Sequence, residues 1–153
     1  MAVVFRELFL VGSFQICGLS VNSNIARFDP MSGEFLALGD GVSGTVRALT
    51  AIGTDLYVGG SFDQAGGVTA SHIARFDTTQ SGNASWSALG EEVNDTVWSQ
   101  AVVGTDLYME GDFTQAGGSA SILIAKFDTI QGGNAGWSAL GDGLIAQFLP
   151  SLA

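Results

Sequence analysis

The chain has 153 residues, of which 46% are hydrophobic and 13% charged, and a formal net charge of −10. It is too apolar for a disordered chain, and its length points to a single domain over residues 1–153. The acidic balance and the scattered cations Arg6, Arg27, Arg47, Arg75 and Lys126 argue against nucleic acid as a partner.

The opening MAVVFRELFLVG carries no basic leader region and is interrupted by Glu7, so no signal peptide is read there. No apolar run approaches the roughly 18 residues of a membrane span. Residues 1–4 resemble only the end of a strand, and LFLVGSF (8–14), IARFD (25–29) and LALG (36–39) follow as short apolar segments. Cys17, the only cysteine, permits neither an internal disulfide nor a cysteine-based zinc site, and reads as a small packed residue. TVRALTAI (45–52) is a strand closed by the turn residues Gly53, Thr54 and Asp55. DLYVGGSF (55–62) and HIARFD (72–77) are the next two strands. SWSALG (85–90), entered through Ser81-Gly82-Asn83, is the last of the set.

The set then recurs. Leu56 returns as Leu107 and Trp86 as Trp137, both 51 residues on, and IARFD becomes IAKFD at 124–128. The first copy precedes them by 48 residues at LFLVGSF and IARFD. Three copies of about 50 residues, each with four short strands, predict an all-β repeat fold. Both alternate faces of DLYVGGSF are apolar or small, as in a sheet covered on both sides.

The repeated phrase LYVGG…IARFD…W-ALG resembles a kelch-type blade. It is more similar still to the LYVGGxF…AGG…IARWD…W-ALG repeats of bacterial surface and secreted proteins, which are related to fungal cortical polarity-marker propellers. Phe28, Phe76 and Phe127 stand where those repeats often carry Trp. The resemblance implies a β-propeller segment of about three four-stranded blades, near residues 3–39, 45–90 and 96–141. Residues 142–153 would start a fourth blade or form a tail. It also implies a scaffold without catalytic residues, in an extracellular or cell-surface setting. Propellers close with four to eight blades. Three therefore form an open arc, as a piece of a longer propeller, or half of a six-bladed ring completed by a second chain. Pro150 fits poorly in an innermost strand and favours the first reading.

GDGVSG (39–44) matches a dinucleotide fingerprint but lacks the strand-turn-helix context and reads as a loop between blades. Asn83-Ala84-Ser85 and Asn94-Asp95-Thr96 are glycosylation sequons that turn chemistry also explains. His72 is the sole histidine, and its counterparts Asn24 and Leu123 do not suggest a metal. Arg27, Arg75 and Lys126 each stand two residues before Asp29, Asp77 and Asp128, which suggests that each cation and carboxylate, or a loop carbonyl, satisfy one another within a blade.

Asp40, Glu91, Glu92, Asp95 and Asp142 would form an acidic rim of interblade loops, with weak Ca²⁺ binding as the functional alternative and no cofactor otherwise expected. Arg47 and Trp98 share one column of the innermost strand, and so large a change between copies points to ligand or solvent. Glu110 and Asp112 replace Gly59 and Ser61 of the preceding copy. They are either a carboxylate pair for chemistry or a metal, or the mark of a face with no packed neighbour, and the second is favoured. No nucleophile–base set is visible. The leading functional expectation is a non-catalytic scaffold or binding module for a protein or glycan, docked at the loop face or the central channel. The alternatives are a fragment of a carboxylate-using hydrolase or lyase, and a purely structural repeat.

Overall fold

A computed structural model of the chain describes residues 2–4, 7–12 and 24–140. The described chain is all-β. The first sheet contains β1 (Ala2–Val4), β2 (Glu7–Val11), β3 (Ile25–Asp29) and β4 (Glu34–Ala37), antiparallel and in sequence order. The second contains β5 (Thr45–Ile52), β6 (Asp55–Ser61), β9 (Ile73–Asp77) and β10 (Trp86–Ser87). The third repeats it with β11 (Val97–Val103), β12 (Asp106–Gly111), β15 (Ile124–Asp128) and β16 (Trp137–Ala139). Cys17, Asp142, Pro150 and the tail 142–153 lie outside the described residues.

Two elements were not expected. Gln64–Ala65 (β7) pairs with Val68–Thr69 (β8), and Gln115–Ala116 (β13) with Ser119–Ala120 (β14). These hairpins turn on the glycine pairs of the two QAGG phrases. Gly66 and Gly67 have φ of 55° and 80°, the left-handed conformation that a two-residue hairpin turn of this type requires. A two-residue strand has no detectable period, so only the Gly-Gly pair could have signalled it.

Two strands are shorter than expected. HIARFD begins its ladder at Ile73, because His72 has φ 67°; its counterparts Asn24 and Leu123 have φ 50° and 65°. That column is therefore defined by a backbone bend rather than by a side chain. SWSALG pairs only over Trp86–Ser87, after a 3-10 turn at Gly82–Ser85, and Leu89 is then buried in the core.

The sheets stack face to face. Successive residues of a strand point to opposite faces, so β6 serves two cores. Leu56 and Val58 pack with Phe9, Ile25 and Leu38 of the first repeat. Tyr57 and Ile73 pack with Leu107, Met109 and Phe127 of the third. Burying each of these large side chains contributes about 1.5–3 kcal/mol. Gly59 makes the second contact possible. A Cβ there would lie 2.8 Å from Val97 Cγ1 and 2.6 Å from Gln100 Nε2.

Polar staples reinforce the stacking, and each spans nearly one repeat. Trp86 Nε1 donates to the Leu38 carbonyl at 2.7 Å, and Trp137 Nε1 to the Leu89 carbonyl at 2.6 Å. The Asp40 backbone N–H donates to Asn83 Oδ1 at 2.7 Å, and Asn83 Nδ2 returns a bond to Asp40 Oδ2 at 2.6 Å. The Glu91 N–H donates to Asn134 Oδ1 at 2.5 Å. Both sequon asparagines are thus structurally engaged; Asn94 Oδ1 accepts from the Thr114 and Gln115 backbones at 2.8 and 3.0 Å.

Candidate functional site at the axial edge

The first strands of neighbouring sheets, β5 and β11, run side by side, and each carries a bulge. In β5 the ladder skips Arg47 between Val46 and Ala48; in β11 it skips Trp98 between Val97 and Ser99. A bulge leaves one residue unpaired and re-aims its side chain. The two re-aimed side chains meet: the Arg47 guanidinium lies 4.1 Å from the centroid of the Trp98 ring. Trp98 remains 45% exposed, and its Nε1 donates to Asp112 Oδ2 at 2.8 Å. Contacts of this kind are worth about 0.5–1 kcal/mol at exposed sites. The column that changes between copies is therefore a bulge column, and its residues form an exposed cation–aromatic–carboxylate group.

The acidic pair is divided. Glu110 is exposed on β12, facing away from the second sheet, and its Oε2 accepts from Ser99 Oγ at 3.2 Å. Asp112 lies past the strand end and is held by Trp98. The two carboxylates serve different neighbours and are not a matched pair.

The charged column keeps its cations but exchanges their partners. Arg27 Nη1 lies 3.1 Å from Glu7 Oε1, Arg75 Nε 2.9 Å from Asp55 Oδ2, and Lys126 Nζ 3.5 Å from Asp106 Oδ2. In each case the partner is on the adjacent strand, not two residues on. Asp29, Asp77 and Asp128 are occupied instead with the turns that follow their strands. Asp77 accepts from the Thr79 N–H, Thr79 Oγ1 and Gln80 Nε2. Asp128 accepts from the backbones of Ile130 and Gln131. The backbone N–H of Met31 and the Ser32 hydroxyl lower the Asp29 carboxyl below its usual range, and the Thr79 side chain and backbone do the same for Asp77.

Of the expected acidic rim, Asp40, Glu91 and Asp95 are exposed. Asp40 Oδ2 accepts from Asn83 Nδ2, Glu91 joins Asn134 only through its backbone N–H, and Asp95 Oδ1 accepts from the Thr96 N–H at 2.6 Å. Glu92 is not a rim residue. It is 5% exposed, with Oε2 accepting from the Ser71 N–H at 2.5 Å and Oε1 from the Leu89 N–H at 3.3 Å. Burial pushes its pKa up to about 7. It occupies the column of Gly41, and both have left-handed backbones, with φ of 56° and 72°. The signal in the sequence was a Gly-to-Glu change at one column, but burial cannot be read from that change alone. Burial also raises Tyr57 to about 12, in the core between the second and third sheets. Among the described residues, no three His, Cys, Asp or Glu side chains converge on a site able to hold a metal ion. None of the described helices is long and apolar enough to cross a membrane.

Stacked four-stranded antiparallel sheets, each stapled to the one before, are the architecture of a partial β-propeller. Residues 56–79 match a family model described as a domain of unknown function (DUF5122) beta-propeller. No curated protein matches the chain. The matched stretch runs from β6 through β9, the part of the second sheet with both faces covered.

Proposed function

We propose that this chain is a non-catalytic β-propeller scaffold and binding module that takes a protein or glycan ligand at its axial edge. The observation that carries the reading is the exposed Arg47–Trp98–Asp112 group, set on two bulges where the repeat otherwise conserves packing. Trp and Arg dominate the energetics of many interfaces, and an exposed indole offers a flat apolar face to either class of ligand. By resemblance, the setting is bacterial and extracellular or at the cell surface. Asp40, Glu92, Glu110 and Asp112 each accept hydrogen bonds from different neighbours, which supports binding over carboxylate-based hydrolysis at this edge.

The test is Trp98→Ala, probed on a glycan array and by cross-linking to surface proteins of the source cell. Trp98 is outside both cores, so the variant should stay folded and melt no more than about 5 °C below wild type, from loss of the Arg47 and Asp112 contacts, while losing at least tenfold in affinity. Unchanged binding by Trp98→Ala would refute the assignment. Binding confined to the array or to the cross-linked proteins would identify the ligand class.

A further inference from the structure

Two sheet faces of the described chain have no described neighbour, and each repeats a face that is covered elsewhere in the same chain. The front of the first sheet presents Leu8, Leu10, Phe28 and Phe35. Their counterparts in the second sheet, Leu56, Val58, Phe76 and Trp86, are at most 4% exposed against the first sheet. Phe35, by contrast, is 54% exposed, stacked on Phe28 at 5.0 Å between centroids. The back of the third sheet presents Tyr108 and Ile124, both half-buried. Their counterparts are Phe9 and Ile25, both 0% exposed, and Tyr57 and Ile73, at 2% and 0%. A cavity of about 180 Å³ lies beside Tyr108, Ile124, Ser99 and Glu110.

The chain therefore contains two internal examples of a back face receiving a front face, plus, among the described residues, one uncovered face of each kind. We propose that the back of the third sheet receives the front of the first sheet of a second copy, head to tail, continuing the interface already made twice within the chain. Two copies of three sheets give six, within the four to eight blades at which propellers close, so the expected product for this 153-residue polypeptide is a closed dimer, the six-bladed alternative of the sequence reading; Pro150, which weighed against it, lies outside the described residues. This inference does not depend on the ligand reading above.

One feature of the faces sets the strength of the contact. Inside the chain, Trp86 and Trp137 each donate Nε1 to the carbonyl of the preceding repeat. At the new contact Phe35 stands in that column and has no side-chain N–H to offer the Leu140 carbonyl. The intermolecular contact is therefore weaker than the intramolecular ones.

Light scattering coupled to size exclusion should give a species of twice the 15.8 kDa chain mass. Phe35→Asp blocks the front and Ile124→Asp the back, so each variant alone should be monomeric with an unchanged far-UV spectrum. Mixed in equal amounts they should form a 1:1 dimer, because one intact front and one intact back remain. One variant does not depend on disrupting the face. Phe35→Trp restores the missing donor and should tighten association by about tenfold. A wild-type monomer at every concentration would overturn the proposal. So would a mixture that stays monomeric, single variants that still dimerise, or failure of Phe35→Trp to strengthen association.

Discussion

Glu92 allows a sharp test of how the sheets are joined. Its carboxyl has an ordinary value of 4.5 and stands at about 7 in the fold. Between these values the folded protein holds a proton that the unfolded chain has released, so this group makes stability fall as pH rises. The loss begins near pH 4.5 and is complete above pH 7. The separation of the two values sets its size at no more than about 3 kcal/mol. Glu92→Gln does not titrate; its amide oxygen can accept from one of the Ser71 and Leu89 N–H groups while its NH2 opposes the other, a cost that does not vary with pH. The two proteins should therefore be compared by urea unfolding at several pH values and one fixed protein concentration, followed by tryptophan fluorescence. The stability of the glutamine variant relative to wild type should climb through pH 4.5–7 and then level off. Parallel curves across that range would refute the reasoning, whatever their vertical offset.

Other consequences are as direct. Trp137→Phe keeps an aromatic ring but removes the donor to the Leu89 carbonyl, and should cost about 1–3 kcal/mol in chemical denaturation. Gly66→Ala should cost about 1–3 kcal/mol more than Gly53→Ala. Both glycines are left-handed, but a Cβ at Gly66 runs into the Trp86 ring whereas one at Gly53 meets open space. Arg75→Ala breaks a partly exposed ion pair and should lower stability by under about 1 kcal/mol, and a double-mutant cycle with Asp55→Asn should assign that loss to their pairing. Melting of Arg75→Ala unchanged from wild type would deny the pair a structural role.

The sequence was readable wherever the repeat itself carried the information. The shifts of 51 and 48 residues placed the long strands, because a strand that recurs in register must occupy the same place in each sheet. The pairing of Gly59 with a close neighbour was readable too, since two glycines in an apolar strand imply an approaching surface. Three things could not be read this way. Arg75 and Asp77 share a face, but sequence spacing does not show that the turn after the strand takes the aspartate and leaves the arginine to Asp55. The QAGG hairpins are too short to show alternation. The meeting of Arg47 with Trp98 requires two bulges in different sheets, and a bulge is a register fault between strands, not a pattern along one of them. The repeat flagged these two as the odd column, but their contact is a fact of three dimensions.

The staples between sheets have a genetic consequence. Each joins residues 43 or 48 positions apart, so one half is encoded in one copy and the other half in the next. An in-frame duplication of one repeat length within the second and third copies, which carry the Trp and Asn of the staples, therefore supplies a matching donor and acceptor at both new junctions. Loss of one repeat length heals in the same way. The gene can change its number of copies by unequal recombination without inventing a new contact surface, while substitutions such as Gly59 to Glu110 give individual copies their own character.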